Sequence, residues 1–229
     1  HTLEGQGPAI VLWPALCFDA RMHRPLTEAL LESGFQVLNI DPPGFGSSPP
    51  CTQPFTMADC GEALLAVLKK NSIAEAVFGG TSWGGCAALH AALQQPEACA
   101  GLLLMNTPYS RGNDVFLGGQ AARLIRSTPP ALFGEAMAQA VFSPGSLEKN
   151  PGLAEYAISA MTDCHLGSAA NAAECVLRHR KPLWDLLPRY GGRALVVTGS
   201  EDKVVPARHA AGAAEKMAGA ELVVFDGAG

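Results

Sequence analysis

The 229-residue sequence predicts an α/β fold, a mostly parallel sheet with helices on both faces and an inserted helical cap. Three observations predict it. Short apolar runs alternate with helical stretches from Pro8 to Met105; between Thr107 and about Tyr190 only helical stretches appear; the alternation then resumes from Arg193 to Phe225. The division that follows is a core at 1–106 and 191–229, read as truncated at both ends, and a cap at 107–190.

Pro8–Trp13 reads as the first complete strand, and Pro25–Leu31 as a helix with Leu26, Ala29 and Leu30 on one face, closed by Gly34. Phe35–Ile40 is the next strand. It runs into Asp41-Pro42-Pro43-Gly44-Phe45-Gly46-Ser47-Ser48, a turn whose prolines and glycines continue neither element. Thr56 caps a helix carrying Met57, Cys60, Leu64, Val67 and Leu68 at helical spacing, with Lys69 and Lys70 at its negative end. Ala76-Val77-Phe78 and Gly101–Met105 are apolar enough for buried parallel strands. The cap offers helices near 115–127, 131–142, 152–163 and 168–179, broken at Pro129-Pro130, Ser143-Pro144-Gly145 and Asn150-Pro151-Gly152. Arg193–Thr198, a helix from about Pro206 to Ala218 and Glu221–Phe225 complete the sheet pattern.

The stretch with chemistry in it is Phe78-Gly79-Gly80-Thr81-Ser82-Trp83-Gly84-Gly85-Cys86, which sets Ser82 between Gly80 and Gly84 in a G-x-S-x-G pattern. With 25 glycines in the chain, that pattern arises by chance in roughly one such chain in ten. Its setting decides. A strand precedes it and the alanine-rich helix Cys86–Leu93, stopped by Pro96, follows, so a sharp strand-to-helix turn would lift the Ser82 hydroxyl clear of the sheet. A phosphate loop fails here: Gly79 to Gly84 has the spacing, but Gly85 stands where lysine is required.

Composition narrows the partners. A net charge of −5 without a basic run argues against a nucleic-acid surface, and the longest apolar runs are far short of the ~20 residues of a bilayer helix. The seven cysteines are odd in number, scattered and without C-x-x-C spacing, which suits core thiols in a reducing, cytoplasmic setting and implies no metal.

On three motifs the chain resembles the α/β-hydrolase superfamily: the elbow at Ser82, the Asp41–Ser48 turn, and Gly199-Ser200-Glu201-Asp202-Lys203-Val204-Val205-Pro206 after the penultimate strand. Within it the chain looks most like capped serine hydrolases of the enol-lactonase and small carboxylesterase type. The resemblance implies Ser82 as nucleophile and Asp202 as the acid that orients a catalytic histidine, with Glu201 solvated and Asn106 unable to serve as an alternative acid. It implies the backbone N–H groups of Trp83 and Leu16 as oxyanion donors, although Pro14-Ala15 replaces the His-Gly or Pro-Gly of many relatives and alanine is the stiffer residue. No cofactor is implied, and the partner is a small acyl substrate.

The histidine is missing from its expected place. In this fold the base follows the acid, and the only histidine after Asp202 is His209, which falls inside a helix. His23, His90, His165 and His179 precede the acid, His165 in the cap being at most a substrate contact, and Phe116, Met161 and Trp184 read as cap packing. The base is therefore expected just beyond Gly229, with the 229 residues as they stand showing little triad-dependent turnover. Two functions stay open, a serine hydrolase of small esters or lactones and a slow or non-catalytic ligand-binding protein on the same scaffold. Dehalogenation is disfavoured, because relatives performing it carry aspartate in place of Ser82.

Overall fold

The computed structural model describes residues 1–110 and 115–228, with side chains described outside 115–119. Seven strands form one sheet in the order β1 (Thr2–Glu4), β3 (Gln36–Asn39), β2 (Ala9–Trp13), β4 (Ala76–Thr81), β5 (Cys99–Met105), β6 (Ala194–Gly199) and β7 (Ala220–Phe225). Only β1 runs antiparallel to its neighbour. The reading of the sequence missed β1, since three residues, two of them exposed, carry no periodic signal.

The alternation of side chains along each strand builds two apolar layers. Val11 and Trp13 point to one face with Leu38, Phe78, Leu102 and Leu104, whereas Ile10 and Leu12 join Val37, Val77 and Leu103 on the other. Helix α1 (Arg24–Glu32) covers the second layer through Leu26, Leu30 and Leu31. Helices α2 (Met57–Lys70) and α3 (Trp83–Gln94) cover the first. Thr56 and Asp59 cap α2 reciprocally: the Thr56 hydroxyl accepts from the Asp59 N–H at 3.3 Å and the Asp59 carboxylate accepts from the Thr56 N–H at 2.7 Å. Strand β7 is exposed along most of its length, with Phe225 58% exposed.

Between β5 and β6 lie the inserted helices α4 (Val115–Ser127), α5 (Pro130–Val141), α6 (Pro144–Lys149), α7 (Gly152–Asp163) and α8 (Leu166–Ala173). The short α6 was hidden in what read as a break; Ser143 starts it by accepting the Ser146 N–H at 3.2 Å, with Pro144 in the first turn. The single helix expected over 168–179 begins at Leu166 and widens into a π-helical turn at Glu174–His179. Beyond that turn the buried Arg180 guanidinium donates to the carbonyls of Val176, Pro108 and Ser110, tying the end of the insertion to the end of β5. Helix α9 (Ala207–Lys216) packs on β6 and β7. No described helix is long and apolar enough to cross a membrane. Of the seven cysteines, Cys17, Cys60, Cys86, Cys164 and Cys175 are buried, Cys51 and Cys99 are half-buried, and all are free thiols.

One buried titratable group makes the fold sensitive to acid. His23, just ahead of α1, is 4% exposed; its Nε2 lies 3.0 Å from Thr81 Oγ1 and its Nδ1 has no hydrogen-bond partner among the described residues. Burial lowers its pKa to about 4. An unfolded chain takes up the proton near pH 6.5 and the folded chain only near 4, so stability falls as pH drops through that window. His23 then removes on the order of 3 kcal/mol between pH 7 and pH 4. Thermal unfolding of His23→Gln should show a smaller loss of Tm over that range than wild type, by roughly 10 °C, and equal pH slopes would refute the assignment.

Candidate active site

The elbow is built by close approach. Strand β4 is paired through Trp13–Gly80 with β2, and the chain turns at Ser82 directly into α3. A side chain at Gly80 would lie 2.6 Å from both Gly84 Cα and the Trp13 carbonyl oxygen, while one at Gly84 would run into the Trp13 carbonyl. Both glycines are therefore required by backbone contact, and neither is at positive φ. The torsional cost falls instead on Ser82, whose φ of 54° and ψ of −106° lie where L-residues are sparse. Its N–H donates to the Met105 carbonyl at 2.8 Å and its carbonyl accepts from Cys86, so the backbone on both sides is pinned and the half-buried hydroxyl stands at the N-terminus of α3.

Trp83 plays two parts. Its side chain is fully buried against Trp13, Phe45 and Phe55, with ring centroids at 5.4, 6.2 and 6.2 Å. Its N–H, at the first position of α3, has no acceptor among the described hydrogen bonds. The Leu16 N–H is likewise free among them, in the loop that leaves β2 and passes against Gly84. The left-handed residue of this loop is Cys17, at φ 71°, and Ala15 is not at positive φ.

Asp202 follows β6 on the same carboxyl edge of the sheet. Its Oδ1 accepts from the N–H groups of Val204 and Val205, both at 2.8 Å, and its Oδ2 accepts from Asn106 Nδ2 at 2.6 Å. Asn106, at φ 46° just past β5, sits between the Ser82 and Asp202 ends of the edge; its own N–H bonds the Val197 carbonyl. The sequence reading took Asn106 only as a missing acid, and its bond to Asp202 had no signal there. The carboxylate also stiffens the turn leading to α9, as a loop-capping aspartate would, yet Oδ2 keeps a lone pair.

The Asp41–Ser48 turn flanks these groups. Half-burial of Asp41 opposes its ionisation, but hydrogen bonds from the Ala20 N–H and from the Ser47 N–H and hydroxyl outweigh it and hold the carboxyl below its usual range. No group of three His, Cys, Asp or Glu among the described residues is placed to hold a metal ion. A cleft of about 460 Å³ lined by Leu65, Lys69, Ile73 and Gln95 lies toward the amino ends of the strands, away from Ser82.

Residues 10–229 match the model of the alpha/beta hydrolase family. The chain belongs to that family. Bifunctional epoxide hydrolase 2 of Rattus norvegicus is 34% identical over 156 residues, 66% of this chain, and the chain spans only about a quarter, 27%, of that relative's length. A pimeloyl-[acyl-carrier protein] methyl ester esterase of Xanthomonas campestris is 31% identical over 98% of this chain and 88% of its own. Among solved structures, the Thermogutta terrifontis esterase superposes with a TM-score of 0.91 at 24% identity, over 100% of this chain and 84% of that one. The enol-lactonase of Burkholderia xenovorans LB400 does so with 0.88 at 24%, over 99% and 87%. These two share the fold of this alpha/beta hydrolase.

Of the six histidines in this alpha/beta hydrolase chain, none is hydrogen-bonded to Ser82 or Asp202 among the described residues. His209 lies inside α9, and His165 is the exposed N-cap of α8, its Nδ1 accepting from the Ser168 N–H at 3.1 Å. Glu201 is exposed. Met161 is core and Trp184 packs tilted against Tyr109 with ring centroids 5.6 Å apart, whereas the side chain of Phe116 lies outside the described residues, as does Gly229.

Two substitutions at the elbow should act in opposite directions. Ser82→Gly relieves the positive-φ residue and should raise stability by about 1 kcal/mol. Gly84→Ala forces backbone apart and should lower it by about 3 kcal/mol. Denaturant unfolding of both variants measures this, and a stable Gly84→Ala protein would show that the close approach is not required.

Proposed function

We propose that the protein is a serine hydrolase of a small ester, lactone or related acyl substrate, working through an acyl-enzyme on Ser82. The observation that carries this is the pinned, positive-φ Ser82 at the N-terminus of α3, with the Asp202 carboxylate held on the same edge by Asn106. In this scheme an imidazole oriented by Asp202 takes the Ser82 proton, Ser82 Oγ attacks the acyl carbon, and the oxyanion is met by the free N–H groups of Trp83 and Leu16. The same imidazole protonates the leaving group, then activates the water that releases the acid.

The identity of the nucleophile favours acyl substrates over epoxides. A serine that opened an epoxide would be left as an ether, which a water and a base do not cleave; an acyl-serine ester is hydrolysed readily. The relationship to the Xanthomonas esterase over nearly the whole chain supports the same choice. Residues 107–190 act as a cap over the carboxyl edge, the free thiols suit a reducing, cytoplasmic setting, and no metal or organic cofactor enters the reaction.

The test is hydrolysis of a p-nitrophenyl short-chain ester by protein expressed from the complete reading frame, since no described histidine reaches Ser82. Ser82→Ala should remove essentially all turnover, and Asp202→Asn should lower kcat by roughly a thousandfold or more. Wild-type turnover that survives Ser82→Ala overturns the reading. A wild-type protein that binds small acyl ligands without turnover identifies a binding protein on the hydrolase scaffold instead.

Asn106 gives a second measurement. Asn106→Leu removes the Nδ2 donor from Asp202 Oδ2 and should lower kcat about tenfold with little change in KM, because the acid is then less well aimed. Unchanged kcat would show that the two loop amides suffice.

A further inference from the structure

The loop that offers the Leu16 N–H is not held by the sheet alone. Asp19, buried at 1% exposure, is gripped at one end by Arg21, whose Nε lies 3.0 Å from both carboxylate oxygens and whose Nη2 lies 2.6 Å from Oδ2. At the other end stands Tyr156 of α7, 137 residues away. Its hydroxyl oxygen accepts the Asp19 N–H at 3.3 Å, and its single proton is shared between the Asp19 carbonyl at 3.2 Å and Oδ1 at 3.3 Å. Arg21 Cζ lies over the Tyr156 ring at 5.4 Å. Burial raises the pKa of the phenol, so it stays a donor at any working pH.

Packing reinforces the tie. Ala15 and Phe18 form a small apolar cluster with Ala138 of α5 and Ala157 and Ala160 of α7, separate from the main core. Phe18 meets Phe142 and Tyr156 at centroid distances of 6.0 and 5.5 Å. On the far side, the Ala20 N–H is held by Asp41 Oδ1 at 2.9 Å. The loop is thus clamped between the Asp41 turn and the inserted helices, with Leu16 between β2 and the clamp.

We propose that Tyr156 is a positioning residue for the oxyanion site: by fixing Asp19 it sets the Leu16 N–H, so that the seating of the cap on this loop controls transition-state stabilisation. This rests on the hydrolase reading above. Tyr156 touches no reacting atom; it acts through the backbone from Asp19 to Leu16.

The test compares wild type, Tyr156→Phe and, as a control, Glu155→Gln on the exposed face of the same helix, all from the complete reading frame. Tyr156→Phe keeps the ring against Phe18 and Arg21 and removes only the hydroxyl. The expected result is faster amide hydrogen exchange across residues 15–20, by tenfold or more, together with a kcat about tenfold lower, KM within twofold and a Tm within a few degrees of wild type. Glu155→Gln should match wild type in all four. Unchanged kcat in Tyr156→Phe overturns the proposal, as does a fall in Tm accompanied by parallel changes in kcat and KM, which marks a merely structural contact. Wild type that hydrolyses no ester overturns the hydrolase reading and this proposal with it; active wild type with an indifferent Tyr156→Phe overturns this proposal alone.

Discussion

The first turn of α3 lies so close to the end of β2 that the Trp13 carbonyl leaves no room for a side chain at Gly80 or Gly84. Much of the site descends from that contact. Because the helix starts immediately after the strand, one residue must absorb the change of direction, and it is Ser82, at φ 54°. A residue in that conformation cannot fold its side chain back along the strand, so the hydroxyl is carried out at the carboxyl edge with the helix N-terminus behind it. The same contact brings the loop after β2 against Gly84, and the N–H groups of Leu16 in that loop and of Trp83 have no acceptor among the described hydrogen bonds.

Asp202 is placed by a second mechanism. Asp202 is on a loop, and loops are mobile unless tied. Three hydrogen bonds tie it: two from the following backbone, which close the turn into α9, and one from Asn106 at the end of the adjacent strand. The backbone bonds set the position of the carboxylate relative to its own loop; the Asn106 bond sets it relative to β5 and hence to Ser82, whose N–H is pinned to the Met105 carbonyl one residue earlier. An uncharged donor suits that place, because a second carboxylate at 2.6 Å would repel Asp202 and raise its affinity for a proton.

The parts of this architecture that were legible in the sequence are those written in local patterns. Apolar runs gave β2 to β7, the Thr56 cap fixed the start of α2 to the residue, and glycine spacing located the elbow. What escaped was short or long-range. β1 is three residues whose only support is pairing with β3, and α6 is a single capped turn inside a Pro-Gly break. The Asn106–Asp202 bond joins residues 96 positions apart, and the Tyr156–Asp19 tie spans 137; neither leaves a trace in spacing or composition, since any polar residue at those positions would have looked the same. Alanine at 15 looked unfavourable because glycine is common there in relatives, yet the left-handed residue is Cys17, two positions on.

On the proposed hydrolase reading, these supports divide the two oxyanion donors into unequal halves. The Trp83 N–H belongs to the core: its residue is buried among Trp13, Phe45 and Phe55 and sits in the first turn of a helix whose other face fills the main apolar layer. The Leu16 N–H belongs to a loop whose apolar contacts are shared with the inserted helices and whose only buried charge is satisfied in part by one of them. On the proposed reading, moving the inserted helices would disturb the second donor through this loop. If, as proposed, those helices cap the carboxyl edge, a ligand that alters their seating alters one of the two proposed donors without touching Ser82. On that proposal, substrate fit and turnover are coupled through a single loop, and a change in the cap shifts kcat without any change in the residues proposed to perform the chemistry.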